Sequence, residues 1–286
     1  MVPEVSVVVP TYNRAAMVVD AVESVLTQEG VDIQLIVIDD GSTDDTPSRL
    51  ERFSSRMHYH RQPRSGVSAS RNRGVTLSRA PLIAFLDSDD LWLPGKLKVQ
   101  MRFMAEHPEM MICQTEEIWV RNGRRLNPKT RHRKPSGDIF RRSLELCLVS
   151  PSAVMIRREL FDRVGYFDET LPMAEDYDLW LRVAAGCPVH LLPEPLVVKR
   201  AGHPDQLSAT PGIDRYRIMA LENLLRSGRL SPEQREWTWA ALRDKCRVYG
   251  TGCLKRGKKE EGKAILALPR VYKGVWNQNE KLPRSL

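Results

Sequence analysis

Three times in its first ninety residues the chain runs through a short apolar segment and halts on polar or acidic residues. Residues 5–9 stop at Pro10-Thr11-Tyr12-Asn13, residues 33–38 at Asp39-Asp40-Gly41-Ser42, and residues 81–86 at Asp87-Ser88-Asp89-Asp90. Runs so short and so largely apolar predict strands buried on both faces, rather than strands with one wet face. Helical patterning fills the gaps, over residues 15–26, near 46–53 and over 68–77. Strands alternating with helices predict right-handed crossovers and an α/β fold with a mostly parallel sheet. Ligands of such sheets bind beyond the carboxyl ends of the strands. All three polar clusters fall on that edge.

Farther along the pattern loosens. Residues 121–142 carry nine Lys and Arg against one acid, Asp138, and are punctuated by Pro and Gly, which predicts a mobile loop. Glu175 and Asp176 open a helix over 177–185. Residues 188–192 and 196–199 read as two short strands, followed by a loop holding His203. From residue 213 the pattern is helical. The chain therefore divides into a sheet-based domain, 1–214, and an accessory helical region, 215–286.

Charge follows the same division. The net charge is +8, yet residues 215–286 alone hold 17 basic and 7 acidic side chains. A basic helical region suits an anionic lipid surface, an acidic partner or nucleic acid, or is simply a solvated face. The first 110 residues are net acidic, and no zinc-finger, RRM-like or OB-type signature is present, so nucleic acid is not expected. No apolar run approaches the roughly 18 residues of a membrane span, and the start lacks a basic-then-apolar leader. Five scattered cysteines without metal-type spacing fit reduced thiols. The expectation is a cytoplasmic protein, peripheral at the inner face of the membrane where the basic region touches lipid.

The acidic clusters carry the chemistry. Adjacent carboxylates repel, so Asp87-Ser88-Asp89-Asp90 calls for a cation or hydrogen-bond donors nearby. Oxygen-only ligands suit Mg²⁺ or Mn²⁺, which commonly bind through one or two carboxylates plus substrate phosphates. The alternative for these acids and for Asp39–Asp45 is capping and turn formation. For Glu175-Asp176 it is acids favouring a helix N-terminus.

Five stretches in order carry a resemblance: VSVVVPTYNR (5–14), VIDDGSTDDT (37–46), RSGVSASRNRG (64–74), IAFLDSDDLWLPGKL (83–97) and GYFDETLPMAEDYDLWLR (165–182). Over residues 4–205 the chain resembles a family 2 glycosyltransferase of the GT-A fold. That resemblance implies a Rossmann-like sheet flanked by helices, with the C-terminal helices as an extension. It implies that Pro10, Thr11 and Tyr12 wrap the base of a nucleotide-sugar donor, and that Asp39 and Asp40 bond its uracil or ribose. Gly66, Arg71 and Asn72 would close over the nucleotide, with Asp87 and Ser88 beside it. Asp87 and Asp89 match the DxD pair, so Asp89, with Asp87, would ligate Mn²⁺ or Mg²⁺, and His203 resembles a loop histidine that approaches the metal. Asp176, with Glu175 beside it, matches the catalytic base.

A divalent cation would offset the charge developing on the leaving diphosphate. One carboxylate suffices to take the acceptor proton in an inverting transfer. The QxxRW motif of processive synthases is missing, which points to a single sugar per binding event. The expected partners are a UDP-sugar and a glycan or lipid-linked acceptor; a homodimer through the helical region is also expected. Competing readings are a nucleotidyltransferase, a nucleic-acid-binding protein and a catalytically inactive sugar-nucleotide-binding scaffold. Trp180 reads as core, and Trp92 as either core or a sugar platform.

Overall fold

The structure is a computed structural model, and it describes residues 2–127, 129–202 and 212–278. The N-terminal half builds strands β1 (Val5–Thr11), β2 (Ile33–Asp39), β3 (His58–Arg61) and β4 (Leu82–Phe85). Helices α1 (Ala15–Leu26), α2 (Thr46–Leu50) and α3 (Val67–Leu77) connect them. These four strands pair in parallel in the order β3-β2-β1-β4, with Val9 opposite Val37 and Val8 opposite Phe85.

Every residue of β1 is buried because the sheet is covered on both sides. Val5, Val7 and Val9 pack with Val18 and Val22 of α1, whereas Val8 faces Val75 of α3. That alternation is the strand period of two. Gly74 lets α3 lie close against β1: a β-carbon there would stand 2.2 Å from Val8 Cγ1.

The second half is mixed. It adds β5 (Leu91–Trp92), α4 (Lys96–Glu106), β6 (Ile112–Arg121), β7 (Arg124–Leu126), α5 (Phe140–Ser143), β8 (Val154–Arg157), α6 (Glu159–Val164), α7 (Glu175–Gly186) and β9 (His190–Ala201). The sheet continues β4-β8-β6-β9-β5, with β8 antiparallel to both neighbours and β9 parallel to β6. The carboxyl ends of β4, β6 and β9 therefore lie on one edge with those of β1 and β2.

Two expectations change here. The two short strands at 188–192 and 196–199 form one strand, β9, whose register with β6 shifts beside Glu116, opposite Pro195. Pro193 and Pro195 lack ladder donors, which breaks the sequence pattern without breaking the strand. The basic segment 121–142 is not simply a loop: it holds the β6–β7 hairpin, a short 3₁₀ turn at Thr130–His132 and the start of α5. Lys134 pins it by donating to the Thr115 carbonyl at 3.1 Å and pairing with Glu117 at the same distance. Although burial opposes it, Lys134 and Lys199 hold the Glu117 carboxyl down to about 2.

The C-terminal region forms α8 (Ile213–Arg226), α9 (Pro232–Lys255) and α10 (Lys259–Gln278). Ser231 and Gln234 cap α9 reciprocally. Ile218, Leu221, Leu242 and Leu268 join one hydrophobic core with Phe85 and Trp180. The helices thus share packing with the sheet. Among the described residues, no helix is long and apolar enough to cross a membrane.

Candidate active site

A cavity of about 720 Å³ opens at the carboxyl edge, within the size range of small-molecule sites. Pro10, Thr11, Tyr12, Asp40, Gly66 and Arg71 line it, as do Asp87, Ser88, Asp89, Glu175 and Asp176. The buried Thr11 hydroxyl has no hydrogen-bond partner among the described residues and so remains available to a ligand.

Arg71 stands at the centre. It is 3% exposed, and its guanidinium donates to Asp87 Oδ1 at 2.7 Å and to Glu175 Oε1 at 2.6 Å. One arginine thereby links the acidic turn after β4 to the first turn of α7. Burial, and then the charge of Asp176, raise the Glu175 carboxyl above its ordinary range against the pull of Arg71. Ala174, in the left-handed region at φ 61°, turns the chain so that Glu175 and Asp176 begin the helix. Asp176 Oδ1 accepts from the Tyr177 amide at 2.7 Å, and the Cys147 thiol stands 3.6 Å from Oδ2. Burial and the neighbouring Asp176 push that thiol well above its usual range, so it stays protonated.

Asp39, Asp40 and Asn72 are committed within the protein. Asp39 does not line the cavity; it accepts from the Ser42 amide at 2.7 Å and from the Tyr59 hydroxyl. Asp40 reaches the cavity wall, but its carboxylate already receives Gln62 Nε2, Arg64 Nη1 and the Ser65 and Gly66 amides. Its visible task is to fold the 62–66 segment beneath Tyr12, whose ring carries the Arg64 guanidinium 3.5 Å above its centre. Asn72 points away from the cavity. Its amide donates to the Phe167 carbonyl and to Glu169, and accepts from the Phe167 amide.

Asp87 and Asp89 are two carboxylates on one wall, with side chains 28% and 22% exposed. The described residues contain no group of three or more His, Cys, Asp or Glu able to hold a metal by themselves. Two carboxylates beside a cavity of that volume nevertheless fit Mg²⁺ or Mn²⁺, whose remaining ligands would come from phosphate and water. His203 lies outside the described residues. Asp90 turns inward, accepting from Ser152 Oγ at 2.7 Å and the Arg200 amide at 3.1 Å. Burial, with Asp89 and Asp87 adding to it and Lys199 opposing, brings its carboxyl up to about 8. Trp92 is buried, donates to the Ser152 carbonyl and lies outside the cavity lining, so it is core. Trp180 is core as well.

Sequence reasoning passes over several cavity residues. Arg64 sits inside a recognised motif without standing out in it. Arg14, 3.9 Å from Asp89, likewise ends a recognised motif, whereas Lys199 and Arg200 of β9 gain meaning only once β9 is placed beside β6. Ile213, opening α8, also reaches the cavity.

The family model for glycosyl transferase family 2 matches residues 6–165. An uncharacterized glycosyltransferase of Rickettsia felis is 32% identical over 184 residues, covering 64% of this chain and 30% of that protein. The putative teichuronic acid biosynthesis glycosyltransferase TuaG of Bacillus subtilis is 33% identical over 161 residues, covering 55% of this chain and 63% of its own length. The chain thus spans less than two thirds of each of these relatives. Among solved structures, S. aureus TarS residues 1–349, in complex with UDP-GlcNAc, superposes with a TM-score of 0.66 at 18% identity. That superposition covers 97% of this chain and 92% of the other. At that identity the likeness establishes a shared GT-A fold.

Proposed function

The chain belongs to glycosyl transferase family 2, and from that premise we propose that it moves one sugar from a nucleotide-sugar, a UDP-sugar in the first instance, to a hydroxyl acceptor. The observation that carries the reading is a single cavity lined by Asp87 and Asp89 from the end of β4 and by Asp176 from the start of α7. Asp87 and Asp89 would hold Mn²⁺ or Mg²⁺, which when bound supplies positive charge to the diphosphate. Thr11, Tyr12 and Gly66 bind the nucleoside end. Asp176 takes the proton of the acceptor hydroxyl as its oxygen attacks the anomeric carbon. The bond from that carbon to the diphosphate oxygen breaks on the opposite face, and the electron pair leaves with the diphosphate. The configuration inverts in one step, without a covalent sugar–enzyme species.

Glycan biosynthesis is the setting supported by the similarity to TuaG, and the UDP donor by the TarS complex with UDP-GlcNAc. A lipid-linked acceptor at an anionic membrane face is supported by the exposed Lys255, Arg256, Lys258 and Lys259 beside the exposed Leu254.

Calorimetry with UDP, GDP and dTDP, each with Mn²⁺ and with EDTA, tests the reading. One nucleotide binds measurably in EDTA and more tightly with Mn²⁺; Asp89→Ala removes that gain, and Asp176→Ala leaves it intact while eliminating transfer. Binding of none of the three overturns the donor assignment and favours a scaffold.

A further inference from the structure

We propose that Lys199 is a fixed cation of the donor site, facing the departing diphosphate and sharing its neutralisation with the metal; this rests on the nucleotide-sugar reading above. Strand β9 runs parallel to β6 and ends at the carboxyl edge, which brings Lys199, partly exposed, to the cavity wall. Along that edge the nucleoside-side residues come from β1 and β2, the acidic turn from β4, and β9 lies beyond β4. Lys199 therefore enters from the side of the acidic turn opposite to the nucleoside.

The other cavity cations are engaged. Arg71 is held by Asp87 and Glu175, and Arg64 by Asp40 and the Tyr12 ring. Arg200 reaches Asp20 and the carbonyls of Asp89 and Met17, and Arg14 stands beside Asp89. The Lys199 amine makes no hydrogen bond or ion pair among the described residues.

Lys199 is nonetheless firmly charged. Burial works against the ammonium, but Glu117, Asp90, Asp87 and Asp176 outweigh it and hold the group above the usual lysine range. An ammonium with three unspent donors at the wall of a cavity is matched by a phosphate oxygen, for which lysine acts as a compact point charge. Its electrostatic neighbours Asp87 and Asp176 are the two carboxylates between which sugar transfer takes place.

The test uses the best-binding of UDP, GDP and dTDP together with its monophosphate, titrated calorimetrically into the unaltered protein, Lys199→Met and Lys199→Arg. Each titration is run with Mn²⁺ and with EDTA, and thermal melting confirms that each variant folds. Lys199→Met weakens diphosphate binding in EDTA by about tenfold, about 1.4 kcal/mol, while monophosphate binding changes less than about twofold. The loss is smaller in Mn²⁺, because the metal takes over part of the same charge, and Lys199→Arg restores most of it. Unchanged diphosphate affinity in Lys199→Met, or equal losses for both nucleotides, overturns the proposal alone. An unaltered protein that binds none of the three diphosphates overturns the donor reading and the proposal with it.

Discussion

Replacing Arg71 with Met isolates what the central ion-pair bridge contributes. The change removes a guanidinium that is 3% exposed and leaves Glu175, 6% exposed, without its partner. Breaking a buried pair from one side costs about 3–5 kcal/mol. The lower end applies here, because Asp87 at 28% side-chain exposure is rescued by water. A loss of about 3 kcal/mol is a large share of the roughly 5–15 kcal/mol that holds a domain folded. At about 2–4 °C per kcal/mol for large domains, Tm falls by about 6–12 °C.

The penalty depends on pH with a definite sign. Burial and Asp176 already raise the Glu175 carboxyl, and losing Arg71 raises it further. A carboxyl raised on folding binds its proton in the native state first. Stability is therefore lost as pH climbs from the ordinary carboxylate range through the raised value, and is regained below it. Urea denaturation of Arg71→Met at pH 5 and pH 8 should show the smaller penalty at pH 5. The double variant Arg71→Met/Glu175→Gln should recover about 2 kcal/mol of the loss, since a neutral amide is cheaper to bury than an orphaned charge. A penalty identical at both pH values, or a double variant less stable than Arg71→Met, refutes the reasoning.

Gly74→Ala should destabilise by about 1–3 kcal/mol through overpacking against Val8. In urea denaturation Val8→Ala should relieve part of that loss, since it removes the methyl groups the new β-carbon meets. In flotation assays the chain should bind anionic vesicles and release as salt rises, at about 1 kcal/mol per well-placed Lys or Arg. Equal binding to neutral vesicles would remove the membrane role assigned to residues 215–286.

Strands β1 and β2 and helix α1 are legible in the sequence because each carries a local periodic signal strong enough to stand alone. Strand β3 is not: His58–Arg61 is a partly exposed edge strand with no apolar run to betray it. The basic stretch reads as a loop because its anchor, Lys134 on Glu117, joins residues 17 apart through a contact that charge counting cannot see. The same limit applies at the site. Sequence identifies Asp40 and Asn72 as polar residues within motifs, but only packing reveals that their hydrogen-bonding capacity is consumed by Gln62, Arg64, Ser65, Gly66 and Phe167. Lys199, beside Arg200 at the end of β9, carries no local sign of the cavity it meets.

The neighbours Arg71 and Asn72 on α3 have a consequence beyond binding. Arg71 fastens the acidic turn to the first turn of α7, and Asn72 fastens the Phe167 segment that leads into it. The acidic turn and the first turn of α7, the proposed leaving-group wall and base, are thereby set apart by a two-point staple on one short helix. The basic hairpin and the C-terminal helices supply none of its bonds. Substitutions confined to those segments touch neither fastening, so the spacing between the acidic turn and α7 should persist through them.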